Sequence, residues 1–585
     1  MNASAVGTLE HMLGDPCDSA NPCGFGQVLA ADERGDMLAA GEETLDRFGF
    51  GAEFVPAALG GRLHALPRMI ELGRAVFRRD PCLGLGYGAS SLIAAVNVWS
   101  AGSPAQQRTV ADLLLRNRKL ACAYHELDHG NDLARCDFEA LPGADGLVLN
   151  GGKQVIANIA RADAIIVYAR TGTRVGGRSH SQLLVEKHAL DGAKTTYPAR
   201  LSSVGMRGVQ LGCIDVSDCA LPHESIIGTP GQGLETALKA FQVTRVALPG
   251  MFMGILDTGL RSTLRYTRQR QLYGRAVLEL PQTRAVVAGA FADLLLADCF
   301  VTIAARTLHL VPQAGGVTSA AVKYLVPKLL IDAMTGLSAI LGAQFYLRDG
   351  RNALFQKLVR DLKPASFGHA ARVTCQMTIM PQLPLLARRT WLRDDAPAVP
   401  QALFDIGAPL APFDFATLAL GAAGHDPLAG ALPAVCAALQ AHPQLAVLAQ
   451  RFADELARLQ AYYIALAPAE SSVMASAHSY AQCGRYVTVL AASACMNLWW
   501  RERARTGEQR DAFLADPRWL HVVLQRLRGR LSGSTAQHDP EHDPEHLAFL
   551  LAELEARHER AQSFDLTRRP LSAWGANPSS TLQES

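Results

Sequence analysis

The stretch GQGLETALKAFQVTR, residues 231–245, decides how the rest of the chain reads. At Gly233 a helical spacing of apolar residues takes over and runs on through MFMGILDTGLRSTLRYTRQR, AVVAGAFADLLLADCFVTIAARTL and AVKYLVPKLLIDAMTGLSAIL. Upstream, from about 121 to 228, the texture is that of strands and turns. DAIIVYAR, SQLLVEKH and GCIDVSD are short β-rich runs, and LVLN-GG-KQVI carries an Asn-Gly-Gly hairpin signal. Further upstream, LPRMIELGRAVFRRD and SPAQQRTVADLLLRNRKL place apolar residues every three or four positions, as helices do. Downstream, the prolines of PQLPLL and DDAPAVPQAL suggest a boundary near 381–400. Amphipathic helical pieces then resume in LAQRFADELARLQAYYIAL and PEHLAFLLAELEARHERA.

Composition narrows the class. With 585 residues, 49% of them hydrophobic, the chain can bury a large core in three or four domain-sized pieces. Its 56 basic and 54 acidic residues leave a net charge of +2, which argues against a nucleic-acid or membrane-surface partner. Twelve cysteines without CxxC pairs or regular spacing argue against a disulfide framework or zinc module and for a reducing compartment. The opening MNASAVGTLEHMLGDPCD lacks a basic segment followed by an apolar one, and no later run approaches a membrane span in length. A soluble cytoplasmic protein, with no membrane attachment, is the expectation.

Specific motifs go further than texture. VPAALGG (55–61), Gly-Ser-Pro-Ala-Gln at 102–106, LNGGKQVIAN (149–158) with ADAIIVYARTG, VGMRGVQ (204–210), the 231–245 stretch, YTRQRQLYGRAV (266–277) and KLVRD (357–361) follow one another in a familiar order. Over roughly residues 45–375 the chain resembles the acyl-CoA dehydrogenase family. The resemblance implies an α+β, mainly α fold. Its pieces would be an N-terminal helical domain (1–120), a middle β-barrel or β-sandwich domain (121–228), a C-terminal helical bundle (229–385) and an additional helical domain (386–585). The last is similar in size to the extra helical region of the family's long-chain members, where it favours dimers over tetramers.

The same resemblance gives meaning to AYHELDHGNDLAR, residues 123–135. In the family this segment lies where a strand end and loop meet the flavin ring and the substrate thioester, so His125 and His129 read as replacements inside a flavin loop. As a metal pair their i,i+4 spacing would require a helix, and no metal is expected. His125 either faces the flavin pyrimidine or fills space with a backbone hydrogen bond. FAD is the implied cofactor, in a pocket built by two subunits. Tyr124, His125, Gly130, Asn131, Val155 and Ala157 come from the β domain; the last two replace a tryptophan and a threonine. Arg270, Tyr273 and Gln282 of a neighbouring subunit match positions that hold the pyrophosphate and adenosine, with Arg270 suited to phosphate by its rigid fork of donors; its other reading is a solvated surface cation. The glycine-rich turn that completes the family's site is altered here to Ala339-Ile340-Leu341-Gly342-Ala343-Gln344, which implies weakened flavin binding.

Chemistry in the family needs a carboxylate that removes the thioester α-proton while the β-hydride passes to the flavin. Of the two positions that carry it, one is Thr244 here and the other, eight residues beyond Asp361, is His369. A neutral imidazole can serve as that base, although SFGHAARV reads equally as a polar helix start with His369 exposed. Lys153, Arg207 and Arg245 are candidates to steer a phosphopantetheine or nucleotide phosphate, and Arg245 can instead form a structural pair in the bundle. The implied substrate is an acyl thioester on CoA or a carrier protein, in specialised metabolism, with an electron-transfer flavoprotein or oxygen as acceptor and a homodimer or tetramer as the assembly. Two other readings stand beside desaturation: the same flavin fold running oxidase, monooxygenase or non-redox chemistry, and a non-catalytic binding subunit. HDPEHDPEH (538–546) reads as a solvated loop between helices or an adventitious metal site.

Overall fold

A computed structural model describes residues 4–130, 132–144, 146–172, 176–368, 370–466, 476–507, 510–532 and 543–574. The N-terminal part is helical: α1 (Ala5–Leu13), α2 (Phe25–Arg34), α3 (Ala39–Phe48), α4 (Leu66–Arg79), the short α5 (Pro81–Leu83) continuing through a π-turn into α6 (Ser90–Ala101), and α7 (Pro104–Leu115). The Ser-Pro-Ala-Gln motif starts α7 by a capping box. Ser103 Oγ accepts from the Gln106 amide at 3.2 Å, and Gln106 Oε1 accepts from the Ser103 amide at 2.9 Å. The Gln106 side-chain nitrogen then donates to the Glu224 and Ile226 carbonyls, tying the helix to the domain that follows.

That domain contains β1 (Leu120–Ala123), β2 (Glu139–Pro142), β3 (Leu147–Ala157), β4 (Ala164–Arg170), β5 (His180–Glu186), β6 (Thr195–Thr196), β7 (Leu211–Leu221) and β8 (Ile226–Ile227). They form one mixed sheet in the order β6-β7-β3-β2-β4-β5-β8, with β1 parallel to β4. Alternate residues of β1 to β5 and β7, among them Ala121, Ala140, Leu149, Val167, Leu183 and Ile214, meet in one separate core. A sheet that builds a core from its own inner face is curled, as a barrel is. The expected Asn-Gly-Gly hairpin is absent: Asn150, Gly151 and Gly152 lie inside the continuous β3, whose register against β7 shifts between Leu149 and Gly151. Gly151, at φ 122°, makes a bulge, and a Cβ there would come within 3.0 Å of the Phe138 Cα, so the glycines serve close strand approach rather than a turn.

The bundle consists of α8 (Gly233–Gln269), α9 (Pro281–Leu310), α10 (Gly315–Leu341), α11 (Leu354–Leu362), α12 (Arg372–Ile379) and α13 (Leu383–Arg389). A two-stranded hairpin, Gln271–Leu272 with Arg275–Ala276, links α8 to α9. PQLPLL, expected at a boundary, is helical here and starts α13. Beyond it come α14 (Pro427–Ala438), α15 (Pro443–Ala465), α16 (Ala477–Arg503), α17 (Pro517–Leu531) and α18 (Pro544–Glu559). The last three pack on α9, where Arg526 pairs with Asp293 in the interior. A single hydrophobic core runs from α1 through the bundle into this extension.

The expectation about membrane-length runs needs correcting. Among the described residues, Pro81–Ala101, Pro281–Leu310 and Pro312–Tyr346 are long and apolar enough to cross a membrane by length and composition, with the apolar windows of the first two 89% buried inside the protein and that of the third 56%. Helices at the centre of a large bundle are apolar all round for the same reason as membrane spans.

A buried ion network closes the assembly. Arg74 on α4 meets Asp298 of α9 at 2.7 Å and Asp565 at 2.9 Å, and Asp257 of α8 binds Arg261 at 2.6 Å and the Phe564 amide at 2.9 Å. The segment after α18 therefore threads back between the N-terminal helices and the bundle.

Candidate active site

The loop that leaves β1 and the first turns of α8 enclose a cavity of about 210 Å³. Its walls include His125, Gly130 and Leu133 from the loop, Leu238 and Phe241 from α8, and Ala370. The loop is held by Glu126. That carboxylate accepts from the amides of Asp137 (2.7 Å) and Phe138 (3.1 Å) and from Lys153 Nζ (2.7 Å). Burial would raise its pKa, but the hydrogen bond and charge of Lys153 and the two amides outweigh burial and hold it below the usual carboxylate range. Lys153 is fully buried and also donates to the Tyr124 carbonyl at 3.2 Å. The lysine considered for phosphate steering is thus committed to the loop.

The sequence-derived flavin residues divide into two groups. In the first, Tyr124 turns its ring into the core against Tyr168 and Phe241, and its hydroxyl hydrogen bonds to Asn97 Oδ1 at 2.6 Å. His125 borders the cavity; burial pushes its imidazole pKa down, a backbone hydrogen bond at Gly130 pulling the other way. Gly130, at φ 41°, has open space where a Cβ would point. Val155, at φ 58° in the second irregularity of β3, is 40% exposed, while Ala157 packs on the main core. His129 pairs with the exposed Asp137 at 3.0 Å. Asn131 lies outside the described residues.

In the second group, Arg270 and Gly342 line a separate cavity of about 940 Å³. Tyr273 stands 86% exposed at the tip of the α8–α9 hairpin, and Gln282 is exposed at the start of α9. This larger cavity also contains Arg265, Arg351, Cys17 and Trp574. Arg265 Nη1 donates to Cys17 Sγ at 2.7 Å, and Arg351 Nη1 to Gln269 Oε1 at 3.1 Å. Sequence reading did not find the Cys17 and Trp574 walls, since they belong to segments outside the motif-bearing region and carry no spacing signal.

The substrate candidates separate likewise. Thr244 is fully buried, its hydroxyl on the Phe241 carbonyl at 3.3 Å, and it does not line the cavity. Arg207 is spent on Glu33, with its Nη2 donating to the carbonyl at 3.0 Å and meeting the carboxylate at 3.3 Å. Arg245 does line the smaller cavity. His369 lies outside the described residues; Ala370 beside it lines the cavity, and Gly368 accepts from Lys323 Nζ at 2.8 Å. Lys323 was also missed, although a lysine in the apolar run AVKYLVPKLL is the kind of signal that finds a buried cation.

A helical N-terminal part, a curled sheet and a long helical bundle with a cavity at their junction define the acyl-CoA dehydrogenase class of fold. The solved butyryl-CoA dehydrogenase of Megasphaera elsdenii superposes with a TM-score of 0.58 at 19% identity, covering 65% of this chain and 98% of that one. The prolyl acyl carrier protein oxidase AnaB gives 0.55 at 19% identity, covering 64% and 96%. Residues 231–369 match the family model for the acyl-CoA dehydrogenase C-terminal domain. A mitochondrial isovaleryl-CoA dehydrogenase from Oryza sativa subsp. japonica is 28% identical over 257 residues, 43% of this chain and 60% of the relative. The human mitochondrial short-chain specific acyl-CoA dehydrogenase is 26% identical over 267 residues, 44% and 61%. The chain thus spans about 60% of the length of the curated relatives it matches.

Proposed function

We propose that the chain is an FAD-dependent oxidoreductase that introduces an α,β double bond into an acyl thioester carried on CoA or a carrier protein. The observation that carries this reading is the cavity at the junction of the 124–134 loop and α8, within a chain that matches the family model over residues 231–369.

The residues fit a dinucleotide cofactor. Arg265, Arg270 and Arg351 surround the larger cavity, with Asp18 as the acid among its lining residues, and this suits a pyrophosphate. Gly130 and Gly342 both have positive φ and open space at the Cβ position, which leaves their backbone accessible to a ligand. The chemistry such a cofactor supplies is acceptance of the two electrons that leave the acyl chain. Arg270, Tyr273 and Gln282 would hold its phosphate and adenosine portion; His125 and Gly130 would border its ring. Leu234, Leu238 and Phe241 would hold the acyl chain and exclude water. Removal of the α-proton is assigned to His369, next to the cavity-lining Ala370.

Because His125 and Gly130 border one cavity of the chain and Arg270 and Gly342 another, a site built by two subunits is the arrangement we favour. A homodimer is the assembly, since α16 to α18 occupy the α9 face. Cytoplasmic placement, specialised metabolism and an acceptor that is either an electron-transfer flavoprotein or oxygen complete the proposal.

One observation supports a second reading, the same fold running other chemistry: among the described lining residues the one carboxylate is Asp132, which is exposed and 3.7 Å from Arg135. The test is the absorption spectrum of the purified protein followed by anaerobic addition of acyl thioesters. Bound flavin that bleaches supports desaturation, bound flavin that no thioester bleaches supports the second reading, and a stable flavin-free protein rejects both.

A further inference from the structure

A third cavity, of about 610 Å³, lies on the seam between the bundle and the C-terminal extension, and no residue lines both it and either of the cavities described above. One face of α10 presents Tyr324, Lys328 and Asp332 to it, one turn apart; α17 presents Arg526 and Arg530 at the same spacing, and Arg372 enters from the start of α12. Gly484 of α16 keeps the space open, since a Cβ there would come within 2.7 Å of the Tyr324 hydroxyl.

The lining is strongly basic. Lys328, Arg372, Arg485, Arg526 and Arg530 share it with a single carboxylate, Asp332, which accepts from Lys328 Nζ at 2.9 Å and from Arg530 Nη2 at 3.2 Å. Behind the wall Arg526 pairs with Asp293, and Arg485 pairs at 2.6 Å with Glu455, a carboxylate that Arg458 shares. Against these three carboxylates the five cations leave an excess of two positive charges. Arg372 holds one of them. It is half-buried, its Nε donates to the Tyr324 carbonyl at 3.2 Å, and its guanidinium carbon lies 4.5 Å from the centre of the Tyr324 ring. Its two terminal nitrogens form no hydrogen bond or ion pair among the described residues, and unlike Arg530 Nε they are not enclosed. The Lys328 side chain is 40% exposed.

We propose that this cavity is a binding site for a small organic phosphate, received by Arg372 and Lys328. A phosphate monoester carries about −1.5 to −2 charge near neutral pH and three strong acceptor oxygens. That charge matches the excess of two, whereas a monocarboxylate would leave one cation over. The planar fork of a guanidinium suits phosphate oxygens, and an ammonium adds a mobile point charge beside it. A cleft lined by one sign of charge also concentrates anions from solution. The volume of about 610 Å³ falls within the roughly 300–1,000 Å³ of small-ligand pockets, and Val286, Ala290 and Leu325 give the organic part an apolar side. Nothing in this site depends on the thioester reading.

Calorimetric titration of the full-length protein as purified, in phosphate-free buffer, with glycerol 3-phosphate, dihexanoyl phosphatidic acid and glycerate as probes, tests it. At least one of the two phosphates should bind at least about tenfold more tightly than glycerate, and the tighter of them distinguishes a soluble metabolite from a lipid headgroup as the source. Arg372→Gln and Lys328→Gln should each weaken that binding at least about tenfold, the range of a lost hydrogen bond to a charged group. Arg372→Lys, which keeps the charge without the fork, should retain part of the affinity, and Arg270→Ala, in the larger cavity, should leave it within about twofold. In the wild type the same phosphate should protect Lys328 from acetylation by an N-hydroxysuccinimidyl ester, mapped by mass spectrometry. No phosphate binding, equal affinity for glycerate, or an unprotected Lys328 would overturn the proposal whether or not the variants fold, as would binding undiminished in Arg372→Gln or lost in Arg270→Ala.

Discussion

Lys153 Nζ and Glu126 Oε1 face each other at 2.7 Å, the lysine fully buried and the glutamate 7% exposed. The pair anchors the cavity loop to β3. Removing one partner strands the other charge in the interior, which typically costs about 3–5 kcal/mol. Glu126→Ala should therefore lower the thermal midpoint and speed proteolysis of the 124–138 loop, and the double variant with Lys153→Met should recover part of the loss. Glu126 is held below its unfolded value of about 4.3, so its contribution is present above that pH and is lost as pH falls through the folded value.

Arg270 lines the larger cavity from an exposed position, so its loss should hardly touch the fold. Surface substitutions of this kind stay within about 0.5 kcal/mol. Arg270→Ala should lower flavin occupancy, read as the ratio of flavin to protein absorbance, with an unchanged circular dichroism melt. Full occupancy would remove Arg270 from the cofactor site.

If His369 is the α-proton base, His369→Ala should keep flavin and bind thioester yet reduce its flavin about 10²- to 10⁴-fold more slowly. The base is active when neutral, so wild-type flavin reduction should rise with pH as the imidazole loses its proton. His369→Glu should retain partial activity with the rise moved lower. Stopped-flow reduction traces identical in wild type and His369→Ala would transfer the role elsewhere.

His309, near the end of α9, joins three parts of the chain. Its Nε2 accepts from the Leu66 amide at 3.2 Å, its ring lies edge-on to Phe413 at 4.8 Å, and burial pushes its pKa down to about 4. The sign follows from that depression. The unfolded chain takes up this proton near pH 6.5 and the folded protein does not, so stability is present above pH 6.5 and is lost as pH falls towards 4. Thermal melts between pH 7 and pH 4.5 should show the loss, and His309→Gln should flatten the curve.

The architecture was legible because it is written in periodicity and in motifs such as Ser103-Pro104-Ala105-Gln106, whose capping role follows directly from residue type. The Asn150-Gly151-Gly152 signal misled because a bulge and a hairpin use the same residues, and only strand pairing tells them apart. His125 and Gly130, singled out by the loop motif, border the smaller cavity. The direction of a side chain was not legible: Tyr124 points into the core and Thr244 to its own helix backbone, outcomes set by packing between distant segments. That Arg245 Nε and Nη2 have no hydrogen-bond partner among the described residues is likewise invisible in sequence, since it depends on how distant elements pack.

The contact between Arg74 and Asp565 bridges about 490 positions of chain. On a ribosome, α4 therefore emerges long before its counter-ion exists, and Arg74 and Arg78 cannot be buried in their final setting until the 563–567 segment has been made. The N-terminal helices must wait, partly open, while more than three-quarters of the protein is synthesised behind them. Such a fold closes last at the seam between its earliest and latest strands of synthesis, and this interval is when chaperone protection would matter most.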